Sequence, residues 1–224
     1  MNEDSEEFAS ALIIDELSAS GENIREQFYL HFSDQIESFT KSMTSAYLKW
    51  KSFDKKIQES EEMAHISSLI YTAINSHVIS MKLLITGYLI AAGNTFRQTL
   101  ESSAMALLCS NSQLGILNKY MEGKYSTTKA VRDLVRNHKK LSLSREALKA
   151  LENNIKFYDK FSHTTHMTIA SCIGFHQNNS LSFGAQFDRA KFPFYEKEIN
   201  SRANFARIII NIIEGVELNI QKAP

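Results

Sequence analysis

The chain has 224 residues, 43% hydrophobic and 22% charged, with 25 Lys and Arg balanced by 25 Asp and Glu. That is the composition of a globular protein long enough to bury a core unaided, and it excludes disordered, collagen-like and coiled-coil-fibre classes. A balanced charge advertises neither nucleic acid nor a membrane surface. Eight Gly and two Pro favour helices over a turn-rich β architecture.

The N-terminal segment is acidic where a signal peptide would be basic and then apolar. Residues 1–7 are expected to fray. Phe8, Leu12, Ile13 and Leu17 suit a short amphipathic helix that ends near Gly21. Next, Ile24, Phe28, Phe32, Ile36, Phe39, Met43, Tyr47 and Trp50 recur every three or four residues. One long helix over about 22–52 is therefore predicted, with this stripe buried.

From Met63 to Leu100 there is no Asp or Glu. Ile66, Leu69, Ile70, Ile74, Val78, Met81, Leu84, Ile85 and Leu89 are apolar at helical intervals, and Gly93-Asn94 reads as the stop. The run from Ile66 to Ala92 is interrupted by Asn75, His77 and Lys82, so a buried helix of a soluble, cytoplasmic protein is expected and no membrane contact. A second helix should then run from about Thr95 to Ser110.

Residues 113–122 suit a short helix ended by Gly123. Ser126 or Thr127 can cap a helix over about 127–140, and Ser144 opens one that reaches Phe161. Residues 162–175 are ambiguous. The stretch 174–193 reads as an irregular loop, with a small hairpin around Asn178-Asn179. Pro193 opens the last helix, whose stripe is Phe205, Ile209, Ile212 and Val216. With no repeat and no linker, residues 1–224 are expected to form one all-α bundle of about seven helices, the long ones antiparallel. Cys109 and Cys172 share no metal or redox spacing, which fits a reducing compartment.

Three constellations could carry chemistry. Arg97 and Glu101 sit at i, i+4 in an apolar region, where a pair needs further hydrogen bonds to offset desolvation. Tyr158, Ser162, His163 and His166 share a helical face. Apposing the two groups would satisfy both, so an Arg97–Glu101–His166 network is expected. No metal site or cofactor is expected. Residues 119–149 hold nine Lys and Arg against three acids, and Lys129, Arg132, Arg136 and Lys140 form a stripe able to track RNA phosphates. No aromatic residues interleave with that stripe to stack on bases. Nucleophile-elbow, Walker, dinucleotide-turn and zinc-protease motifs are absent from the sequence.

Two stretches carry a resemblance. They are Gly87-Tyr-Leu-Ile-Ala91-Ala92 with Phe96-Arg97-Gln-Thr-Leu100-Glu101, and Tyr158-Asp-Lys-Phe-Ser162-His163-Thr-Thr-His166 followed by Leu181-Ser-Phe-Gly184-Ala-Gln-Phe187-Asp188. Together they resemble uncharacterised bacterial all-helical proteins, some of them similar to HEPN domains, over roughly 66–220. The resemblance implies a helical bundle, a symmetric homodimer built on long helices and, in one branch, a metal-independent ribonuclease acting as a toxin or phage-defence factor. The family's Arg, four to six residues, His motif fits Arg132-Asp133 with His138, and also Arg25-Glu26 with His31. On a straight helix Arg132 and His138 fall about 120° apart and would converge only across a kink or loop. The two functional expectations are thus a non-catalytic helical binding protein with a buried polar network and, alternatively, a ribonuclease using Arg132 and His138.

Overall fold

The computed structural model describes residues 6–57, 60–172, 174–175, 181–182 and 184–222. Nine α-helices appear among them, against about seven expected: α1 (Glu6–Ser18), α2 (Glu22–Asp54), α3 (Glu61–Ile85), α4 (Leu89–Cys109), α5 (Ile116–Met121), α6 (Thr127–Arg136), α7 (Arg145–Tyr158), α8 (His166–Cys172) and α9 (Phe192–Gln221). The one strand pairing among the described residues is antiparallel, Gly174–Phe175 with Leu181–Ser182. It brackets the expected turn at Asn178-Asn179, which lies outside the described residues.

Four long helices make the centre. α3 packs along α4, α2 lies against α3 and α9, and α9 touches α3 and α4, while α6 and α7 pack on α4 and on each other. Their starts follow from local chemistry. Ser60, Ser126 and Ser144 each accept the backbone N–H three residues on, satisfying a donor that the first turn leaves free. Pro193 sits in the first turn of α9, where its missing N–H costs little.

The α2 stripe is buried from Ile24 through Met43, and the helix is kinked at Phe32 (φ −136°, ψ 25°). Its last members depart from expectation. Tyr47 is exposed, and Trp50 is half-buried, its Nε1 donating to Ser67 Oγ at 2.9 Å. Tyr47, Trp50 and the exposed Tyr71 form a surface aromatic row, with centroids 5.5 and 4.9 Å apart.

The break between α3 and α4 falls at Thr86–Tyr88, not at Gly93-Asn94. Gly87 supplies the turn with φ 89°, a conformation that favours glycine. Gly93 lies inside α4 because the Phe161 ring occupies the space a side chain would fill: a Cβ there would sit 2.3 Å from Phe161 Cδ1. Gly93→Ala is therefore expected to destabilise the fold by about 1–3 kcal/mol despite alanine's better helix propensity. Denaturant unfolding reads this directly, and an unchanged midpoint would mean that the ring yields freely.

Other boundaries moved as well: the helix expected over 113–122 begins as a 3-10 turn over Ser112–Leu114 and continues past Gly115 as α5. α6 stops at Arg136, and α7 at Tyr158, where a 3-10 turn over Asp159–Ser162 takes over. α1 forms as expected but buries no residue completely, leaving Leu12, Ile13, Ile14 and Leu17 exposed. Among the described helices only α3 is long and apolar enough to cross a membrane, and 56% of its most apolar window is buried inside the bundle.

Candidate functional site

The first expected constellation assembles in part. Arg97 Nε donates to Glu101 Oε1 at 2.8 Å, one turn on in α4. Its Nη1 reaches Ser162 Oγ at 2.7 Å and Asp159 Oδ1 at 2.8 Å in the 3-10 turn after α7. The two sequence segments do therefore meet through Arg97. The remaining members go elsewhere. His163 Nε2 lies 3.7 Å from Asp159, exposed, and His166 is exposed at the start of α8. Tyr158 turns its hydroxyl the other way, into the core, because the stripe of α7 continues through it. Nor is the cluster sealed: the Arg97 side chain keeps 26% of its surface exposed. It ties the end of α7 to α4, and a partly solvated pair of this kind contributes modestly.

The buried network lies on α9 instead. Arg202 is fully buried, and its guanidinium is met on all sides: Nε donates to Ser80 Oγ at 2.7 Å, Nη1 to Glu198 Oε2 at 2.8 Å and Nη2 to the Ala92 carbonyl at 2.9 Å. The Phe96 ring lies under it, 4.8 Å away. Tyr158 donates to the Glu198 carboxylate at 3.1 Å, and Ser80 to the Ala92 carbonyl at 2.9 Å. His77 Nε2 donates to the Arg202 carbonyl at 2.9 Å. One network thus joins α3, α4, α7 and α9. A buried guanidinium is tolerated only when its donors find acceptors, and here each of its three nitrogens has at least one.

Periodicity held a signal for this site. Stepping back from Phe205 along the α9 stripe by three, four and three residues lands on Arg202, Glu198 and Tyr195, all buried. Two charged residues on an apolar stripe are the mark of a buried pair. Arg97 and Glu101 have the same spacing on a helix poor in charge, but that helix turns them to its rim.

Burial sets the protonation of the groups around the network. His77, enclosed by the rings of Phe39, Phe96 and Phe205, is pushed down to about 3 by desolvation, with the Arg202 charge adding to the shift. It is neutral at pH 7, and its Nδ1 has no hydrogen-bond partner among the described residues. The Tyr158 hydroxyl is raised, first by burial and then by the Glu198 charge. Burial also pushes the Cys109 thiol up to about 12, so it is no nucleophile, and both cysteines are free. Groups held this far from their reactive forms and closed off from solvent suit a structural role.

The basic stripe is a solvent face. Lys129, Arg132, Arg136 and Lys140 are all exposed. Arg132 and His138 share no hydrogen bond or ion pair among the described residues. α6 ends between them, and His138 Nδ1 lies 3.0 Å from the Val135 carbonyl in the turn that follows. Asp133 accepts from Tyr125 at 2.8 Å. In the other motif match, Arg25 donates to the Ser20 carbonyl, while His31 stacks 5.7 Å from Phe187. Among the described residues no three His, Cys, Asp or Glu side chains group closely enough to hold a metal ion.

Several open depressions mark the described surface, and three of them adjoin the elements discussed above. One of about 640 Å³ lies between the end of α1, the Gly87 turn and α8, where Glu16 accepts the Ala185 N–H. A second, of about 430 Å³, is floored by Tyr158 and rimmed by Lys197 and Asn154. The third is an apolar groove of about 330 Å³ between α2 and α3, with Phe39, Met43 and Ile74 as floor and Thr40, Tyr47 and Val78 as walls. No family model, curated protein or solved structure matches the chain.

Proposed function

We propose that the chain is a helical binding protein that works by recognition at its surface, and that the α3 face over the α2–α3 groove is its contact surface. One observation carries this reading. The exposed side of α3 bears no acidic or basic residue from Met63 to Met81, apart from the imidazole of His65, yet presents Tyr71, Val78 and Ile79 to solvent. A face made only for solvation would be charged, whereas depletion of charge with exposed aromatic and aliphatic side chains is the signature of an interface centre. The buried network supports the reading by fixing how α9 seats on α3 and α4, which holds that face rigid. Free thiols at Cys109 and Cys172 accord with a cytoplasmic setting.

A mobility probe tests it. A spin label on Asn75→Cys, in a chain whose Cys172 is serine, is expected to lose mobility when the chain meets its partner in cell extract or in its own concentrated solution. A label on Lys129→Cys in α6 should stay mobile. Equal mobility of the two labels under all conditions would sink the reading.

A second reading, RNA cleavage or binding by a HEPN-like dimer, draws on the exposed Lys129, Arg132 and Arg136 of α6. There Arg132 would hold a phosphate and His138 would exchange a proton. The separation of the two side chains by the end of α6 favours the first reading, and purified protein is expected to leave RNA intact. Cleavage that disappears in both Arg132→Ala and His138→Ala would reverse that preference.

A further inference from the structure

The largest of the three depressions has a chemistry of its own. Its volume of about 640 Å³ falls in the range that encloses a small organic ligand. Leu89, Ile90 and Ala91 at the start of α4 line it together with Ala185, so most of its wall is apolar. Tyr88, Asn94 and the Cys172 thiol add neutral polar atoms. Among the described lining residues Glu16 alone carries a charge.

The chain builds Glu16 into this wall. The Ala185 N–H donates to both carboxylate oxygens, at 3.2 and 3.3 Å. The Tyr88 hydroxyl bonds to the same carboxylate and is raised above its ordinary value, first by burial and then by that bond and charge. A Cβ at Gly184, where φ is 87°, would overlap the carboxylate, so the chain before α9 leaves room for it. α1 buries no residue completely, so tight packing is not what sets Glu16 there.

The wall lacks a counter-charge. Every Lys and Arg of the chain lies within the described residues, and none forms an ion pair with Glu16. Lys191 reaches the rim, but it donates to the Ser171 carbonyl at 3.2 Å and is not part of the lining. An ionised carboxylate offers about four lone-pair sites, and the backbone and phenol donors occupy at most three of them. Those donors orient Glu16 and leave its charge unbalanced, beside apolar surface that screens less than water does. The Asn94 amide makes no hydrogen bond to another described residue.

The geometry points to this cavity as the binding site of a small organic amine, its ammonium on the Glu16 carboxylate and its apolar body against Leu89, Ile90 and Ala91. Asn94 is placed to bond a polar substituent on that body. The site shares no residue with the α3 face proposed above and stands or falls without it.

The probes are three molecules of nearly one shape: tryptamine, its neutral hydroxyl counterpart tryptophol, and anionic indole-3-propionate. Calorimetric titration of the full chain is expected to give tryptamine a Kd of about 1 mM or tighter, as about a dozen non-hydrogen atoms allow. Tryptophol should bind about tenfold more weakly, and indole-3-propionate more weakly still. Glu16→Gln keeps an acceptor for the Ala185 N–H, and should bring tryptamine to the level of tryptophol while leaving tryptophol unchanged. Ala91→Trp, at an exposed position of the lining, should fill the cavity and abolish binding of both. Val78→Arg on α3 should change neither.

Cys172 reports occupancy independently. Cys109 is buried, so alkylation by iodoacetamide reads Cys172, and tryptamine at saturation should slow it. If Ala91→Trp does not fold, this protection in the parent chain locates the ligand in its place. Equal affinity for tryptamine and tryptophol, or a preference that survives Glu16→Gln, would overturn the proposal. So would binding that neither Ala91→Trp nor Cys172 detects, or no tryptamine bound at about 10 mM.

Discussion

Glu198→Ala is expected to cost about 3–5 kcal/mol in unfolding free energy, because it leaves a fully buried guanidinium without its carboxylate. The Tyr158 hydroxyl loses its acceptor in the same step, and a buried donor left unmade adds to the penalty. The double variant Glu198→Leu with Arg202→Met should recover part of the loss, since it removes both charges and fills the volume with apolar atoms. It will not recover everything, because Ser80 and the Ala92 carbonyl also lose the donors that Arg202 gave them. Arg97→Ala, which breaks the partly solvated cluster, should cost only about 1 kcal/mol or less by the same measurement. If Glu198→Ala cost under 1 kcal/mol, the network could not be sealed in the way its hydrogen bonds indicate.

The second large effect appears with pH. His77 is held neutral in the folded chain, down to about 3, whereas the unfolded chain protonates it near the ordinary value of 6.5. Between those values the unfolded state binds more protons, so stability rises with pH and falls as acid is added. From pH 7 to pH 5 this one group should remove about 2 kcal/mol, at about 1.4 kcal/mol per pH unit below the unfolded value. The interval stays above the range in which carboxylates add their own loss, such as Glu152, whose carboxyl is lowered by its bonds to Lys149 and Lys156. His77→Gln keeps a donor for the Arg202 carbonyl but cannot titrate. Denaturant unfolding at the two pH values should show this variant losing about 2 kcal/mol less than the parent chain. Equal losses in the two would mean that His77 is not the titrating group.

The helical character of the chain was legible residue by residue. Periodicity alone marked α2 from Ile24 to Met43, because a core-facing helix must place an apolar side chain every three or four positions. Ser126, Ser144 and Pro193 marked helix starts because the free N–H groups of a first turn need an acceptor, or a residue that lacks the donor. Those are local demands, and local sequence answers them. The meeting of Arg97 with the segment after α7 was also foreseeable, from the need of a guanidinium for more acceptors than one carboxylate supplies.

Tertiary packing decided the rest. Gly93 looked like a helix stop, but Phe161, distant in sequence, claims the space beside it, and Gly87 makes the turn. Two i, i+4 Arg–Glu pairs are equivalent as spacing: 97 with 101, and 198 with 202. One lies at the rim and the other in the centre, because burial depends on which neighbours cover a helix face, and only assembly supplies the neighbours. His77 was one polar residue among several in an apolar run, and became the enclosed histidine once α2, α4 and α9 brought three phenyl rings around it. The same holds for α3. Between Met63 and Met81 its sequence is free of Asp, Glu, Lys and Arg on both sides, and only the packed bundle separates the side that is satisfied from the side that faces out toward solvent.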